Sequence, residues 1–177
     1  MAKILSIAQD KLEMEIQQDV LKHDCPSSGK HEVLFFPNLG EAESVLKETS
    51  FDLTICDLEW IPILVQKERK NPEEKSPLVV VIVENYPDTA RMLLRPSGSF
   101  SYSNIAACLP IEGQRRAQVW EQLFAVLEKV KETGSPVTKE SFQTALKSVP
   151  FPEPLPRNEH GGPTKCTNEG GLYILRP

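Results

Sequence analysis

The sequence predicts a doubly wound α/β sandwich, and three observations carry that expectation. Short apolar runs at 3–8, 32–36, 51–56, 78–83 and 105–109, the first and fourth rich in β-branched residues, alternate with segments whose apolar residues recur every three or four positions. The run at 78–83, LVVVIV, has no polar alternation, as expected of a central parallel strand covered on both faces. Strand and helix alternating in this way call for crossover connections, hence a parallel sheet with helices on both sides.

Each element follows from its own residues. The first strand, KILSIA, starts almost at the N-terminus, and Leu12, Ile16 and Val20 then predict one apolar helical stripe that ends near the breaker cluster at 25–29. EVLFF at 32–36 is the second strand. Asn38, with Glu41 three residues on, predicts a capped helix carrying Leu39, Ala42, Val45 and Leu46 on one face. The third strand runs into Asp57, and residues 61–69 predict a shorter helix. Between 86 and 104 the prolines and the Ser97-Gly98-Ser99 string leave room for one short helix around 88–94 and a surface loop. A fifth strand at 105–109 is followed by the clearest helix, 114–132, with Trp120, Leu123, Phe124, Leu127 and Val130 on its apolar face.

The organisation expected is therefore a sandwich over residues 1–133, a short helical extension over 134–148 and a Pro/Gly-rich tail over 149–177. In the extension, Thr138 is a candidate cap for a helix burying Phe142, Ala145 and Leu146. The tail collects Pro150, Pro152, Pro154, Pro156, Pro163 and Pro177, and its composition predicts an extended or disordered chain. Within it, Leu172-Tyr173-Ile174-Leu175 is an apolar patch that reads as a docking peptide or as a segment folded back on the domain.

Composition bounds the function. A formal charge of −5 and a pI near 5.3 offer no basic stripe, which argues against nucleic acid or an anionic membrane as partner. No apolar run approaches the roughly 20 residues of a membrane span. Cys25, Cys56, Cys108 and Cys166 are scattered without a CxxC pair, and the start of the chain lacks a signal-peptide core, so a reducing cytoplasm is the expected home. Cys56 and Cys108, in strands, read as small buried hydrophobes. His23, Cys25 and His31 have no metal-ligand spacing and read as surface residues, as do His160 and Cys166. No Gly-rich loop follows the first strand, which argues against a dinucleotide enzyme.

Sheets of this class place functional residues at the carboxyl ends of their strands. There the stretch FDLTICDLEWIP at 51–62, with the order and spacing of the elements, resembles the receiver domains of two-component response regulators over about residues 3–133. The resemblance implies a flavodoxin-like sheet of order 2-1-3-4-5, with Asp57 at the phosphoacceptor position and Pro62 one residue later than the family pattern. It also implies supporting groups that this sequence replaces. Ala8 and Gln9 stand where receivers carry an acidic pair, Ile82 where they carry Thr or Ser, and Leu109 where they carry Lys.

A phosphoryl group on an aspartate needs Mg²⁺ and a cation to neutralise it. The expected function is therefore a degenerate pseudo-receiver: a phosphorylation-independent protein interaction module, not an enzyme, without a cofactor. Its expected partner is a histidine kinase or an output protein, met on the surface formed in receivers by the fourth helix, fifth strand and fifth helix. Here that surface includes 96–103, Arg115, Arg116 and Gln118. The alternative is a working phosphoacceptor at Asp57 that uses Mg²⁺, with Asp10 and Glu59 as weak metal candidates and Arg115 or Arg116 as substitute cations. A third reading is a flavodoxin-like enzyme or ligand-binding protein with an unrelated site.

Overall fold

The computed structural model describes residues 1–70, 77–83, 104–110 and 116–150. Five strands, Lys3–Ile7 (β1), Glu32–Phe36 (β2), Leu53–Asp57 (β3), Val79–Val83 (β4) and Ile105–Pro110 (β5), form one sheet of order β2-β1-β3-β4-β5. Every neighbouring pair is parallel. The helices among the described residues are Lys11–Asp24 (α1), Leu39–Glu48 (α2), Ile61–Lys70 (α3), Arg116–Glu132 (α4) and Lys139–Leu146 (α5). The expected short helix at 88–94, the loop at 96–103 and the tail beyond 150 lie outside the described residues.

Two apolar layers sandwich the sheet. On one side Ile4, Leu53, Ile55, Val80, Ile82 and Leu109 meet α1, α4 and α5; on the other Leu5, Ile7, Cys56, Val79, Val81 and Cys108 meet α2 and α3. Along β1 to β4 the period-two alternation sends successive side chains to opposite layers, while a register shift puts Ala106 and Ala107 of β5 in the same layer; helices cover both faces, which is why the strands read as largely apolar runs. Helix starts follow their cap residues. Asn38 accepts from the Glu41 amide at 2.9 Å and donates to the Glu41 carboxylate at 2.8 Å. Thr138 and Ser141 form a reciprocal capping box at the start of α5. Phe142, Ala145 and Leu146 of α5 belong to the same core cluster as α4 and the sheet. The extension is therefore part of the packed fold.

Two expectations are corrected. The apolar stripe expected on α1 is only in part its buried face: Val20 packs half-buried against the core, but Leu12 is 66% and Ile16 38% exposed, while Gln17 and Leu21 are buried. The helix is turned by about one residue, or 100°, from the hydrophobicity pattern, because Gln17 has a hydrogen-bond partner inside and its burial therefore carries little penalty. The second correction concerns the turn after α1. Cys25 and His31 are buried, whereas His23 is exposed as expected. The 3₁₀ turn Pro26–Lys30 folds onto α4, where the His31 ring stacks on Phe124 at 4.7 Å and the Cys25 thiol reaches the Ala117 carbonyl.

Candidate site at the carboxyl edge of the sheet

Asp57 is the last residue of β3, half-buried, and pairs with Ile82 of β4, which in turn pairs with Leu109 of β5. Parallel register carries β1 and β3 together through Ile7 and Cys56, so that Ala8 follows on β1 as Asp57 follows on β3. The fold thus gathers Ala8, Asp57, Ile82 and Leu109 at one edge. Ala8, Ile82 and Leu109 are all buried, and none carries a charge or a side-chain hydrogen-bonding group.

Among the described residues, Gln9, Asp10 and Glu59 also lie beside this edge. Gln9 points to solvent. Asp10 is the N-cap of α1, and its carboxylate accepts the Glu13 amide at 2.9 Å. Glu59 is exposed on the 3₁₀ turn Leu58–Trp60 that follows β3. Among the described residues no three His, Cys, Asp or Glu side chains gather to hold a metal ion.

Trp60 closes the edge between the first two turns. Its indole N–H donates to the Ala8 carbonyl at 3.0 Å, so the turn after β3 is tied to the turn after β1. Its ring packs with Leu58 and Phe36 against the α2/α3 layer. Pro62 follows as the second residue of α3, where its missing N–H leaves no intrahelical bond unmade.

Beneath the edge lies a polar chain that sequence reasoning missed. Ser6 of β1, in the α1/α4 layer, donates to the Gln17 side-chain carbonyl at 2.7 Å; the Gln17 amide donates to Glu13 at 3.2 Å; and the Glu13 carboxylate receives the Arg116 guanidinium at the start of α4. Ser6 and Gln17 are almost fully buried, while Glu13 and Arg116 keep 18% side-chain exposure. The available signals were the serine inside an apolar strand and the four-residue spacing of Glu13, Gln17 and Leu21. Arg116 is thereby bound to Glu13, and Arg115 lies outside the described residues. Gln118, expected on a partner-facing surface, is exposed.

Burial sets the ionisation of the interior. The Cys108 thiol is pushed up to about 12 by desolvation, Cys56 further still by desolvation and then the nearby Asp57 charge, and Cys25 to about 11 by desolvation and then Glu121. None is a thiolate near neutral pH, so these cysteines act as small apolar side chains.

The fold and edge together define a flavodoxin-like α/β protein whose strand ends are largely apolar. No protein-family model matches the sequence, and no curated protein matches it. Among the described residues no helix is long and apolar enough to cross a membrane.

Proposed function

We propose that the chain is a receiver-like signalling protein that binds a protein partner without itself being phosphorylated. The observation that carries the reading is the set of side chains gathered with Asp57: Ala8, Ile82 and Leu109, all buried and uncharged. Phosphorylation of an aspartate places a strongly anionic group at the strand end, and that charge must be met by a metal ion, a hydroxyl and a cation. The side chains at these three positions supply no oxygen ligand, hydroxyl or ammonium. Asp10 is occupied as a helix cap, and the Trp60 bond to Ala8 holds the two turns together where a metal would need ligands from both.

The partner class that fits the reading is a histidine kinase or an output protein in a bacterial-type pathway, met in the cytoplasm. Intact-mass measurement after incubation with Mg²⁺ and acetyl phosphate tests the proposal. The wild-type protein is expected to remain unmodified, with a known receiver labelled in parallel. A phosphoryl increment that disappears in Asp57→Asn would instead make the chain a working phosphoacceptor.

A further inference from the structure

The segment between α1 and β2 is fastened to α4 by a handful of side chains. The Ser27 amide donates to the Glu121 carboxylate at 2.9 Å, the Cys25 thiol reaches the Ala117 carbonyl, and Lys30 pairs with Glu128 at 3.2 Å. None of the five residues of the 3₁₀ turn Pro26–Lys30 is buried; the buried residues are the two that flank it, Cys25 and His31. The sheet holds independently of this segment, because β2 pairs with β1 from Glu32 onward.

His31 is the vulnerable part of the contact. Its side chain is 2% exposed, its ring lies on Phe124 with 11° between the planes, and among the described residues neither ring nitrogen has a hydrogen-bond partner. A neutral imidazole carries one donor and one acceptor, so burying it unpaired is already costly, and burying the charged ring there costs more. The carboxylate on hand to meet a charged ring, Glu128, stands 4.0 Å from Nε2 and already serves Lys30.

Charged groups face the ring from each element packed around it. Lys30 comes from the turn, Glu128 and Lys131 from α4, and the N-terminal amine from the residues before β1. Lys131 is in turn paired with Asp52, just before β3, and Glu32 of β2 with Lys3 of β1. Desolvation acts first to keep the ring neutral, Glu128 opposes it, and Lys131, the N-terminal amine and Lys30 reinforce it.

We propose that His31 is a proton-operated latch: when its ring takes up a proton from solvent, between about pH 7 and about pH 5.5, it leaves Phe124 and the segment 25–31 comes off α4 while the sheet stays folded. The opposite response, a charged ring turning onto Glu128 and tightening the contact, requires Glu128 to give up Lys30 and one carboxylate to outweigh three cations. Opening bares the Cys25 thiol. Cys56 and Cys108 lie in β3 and β5 and are reached only if the sheet itself comes apart, so the three thiols separate a local opening from a global one. The inference rests on this contact alone and is independent of the reading of Asp57.

The test treats the full-length chain at about pH 7.5 and about pH 5.5 with dithiodipyridine, an aromatic disulfide that labels thiols on both sides of neutrality. Labelling of each cysteine is read by peptide mass and divided by the rate of a small free thiol at the same pH. The expected result is a severalfold faster reaction of Cys25 at the acid pH, ahead of Cys56 and Cys108. His31→Phe keeps a stacking ring and has nothing to titrate, and is expected to abolish the rise. If that variant fails to fold, the ring-proton shifts of His31 in the wild type decide, since their titration must share its midpoint with the Cys25 rate. Four results would each overturn the inference: a Cys25 rate that stays constant or falls with acid, three cysteines that rise together, a rise retained in folded His31→Phe, or a ring titration with a different midpoint.

Discussion

At the carboxyl edge of the sheet, where α/β folds gather reactive polar groups, Ala8, Ile82 and Leu109 are buried and apolar; beneath it, between β1 and α1, Ser6, Gln17, Glu13 and Arg116 form a hydrogen-bonded chain. The polar groups of that chain lie where protein groups satisfy one another. A buried polar chain costs little when each member has a partner, and it fixes geometry, because α1 and α4 must sit where Gln17 and Arg116 reach theirs. The rotation of α1 that leaves Leu12 and Ile16 exposed is a consequence. At the edge itself the Trp60 bond to Ala8 supplies a directional constraint of its own.

The largest way to break this contrast is a charge at the edge. Leu109→Lys is expected to destabilise the fold by at least about 3 kcal/mol in urea unfolding, because the ammonium would enter a fully buried position. A cost below about 1 kcal/mol would mean that the edge accommodates a cation, and the contrast would fail.

Next in size is the polar chain. Gln17→Ala leaves the Ser6 hydroxyl without its acceptor and opens a cavity, with an expected loss of about 2–3 kcal/mol. Ser6→Ala combined with Gln17→Leu removes both partners and should cost less than about 1 kcal/mol. Equal costs for the single and double variants would show that the hydrogen bond is not what permits the burial.

A smaller effect is expected from His31. Desolvation holds its folded pKa below the ordinary value of 6.5, ahead of the opposing effect of Glu128. The unfolded chain therefore binds the proton more readily, and stability is full above about pH 6.5 and falls as the pH drops from there toward the folded pKa. Thermal unfolding at about pH 7.5 and about pH 5.5 should show a lower Tm at the acid end, and His31→Leu should reduce that difference. Smallest of all, Leu12→Gln and Ile16→Gln should change stability by no more than about 0.5 kcal/mol, against about 2 kcal/mol or more for Leu21→Ala.

The parts of the fold legible in the sequence are those set by local signals. Val79, Val80, Val81 and Ile82 of β4 are buried on both faces of the sheet, Asn38 and Thr138 cap their helices, and Trp120, Leu123, Phe124, Leu127 and Val130 all face the core. The parts that were not legible depend on distant partners. Leu12/Ile16/Val20 and Glu13/Gln17/Leu21 have the same helical spacing, and hydrophobicity alone favours the wrong set; Ser6 decides between them from another strand. His31 is buried against Phe124, a partner in the last long helix of the sandwich that no local signal around His31 announces. At the edge itself, the spacing of Asp10 and Glu13 held a cap signal that competed with the weak metal reading, and the structure shows Asp10 in the cap. The Trp60 bond to Ala8 had no sequence signal beyond an aromatic residue just past a strand end.

We propose that the edge around Asp57 does not assemble a metal-supported phosphoryl site. Amide chemical shifts of the full-length protein, titrated with Mg²⁺ and then with beryllofluoride, a tetrahedral phosphoryl mimic that binds carboxylates, test it directly. The expected result is no saturable shift at Ala8, Asp57, Ile82 or Leu109. Saturable shifts centred on Asp57, dependent on Mg²⁺ and lost in Asp57→Asn, would contradict the account.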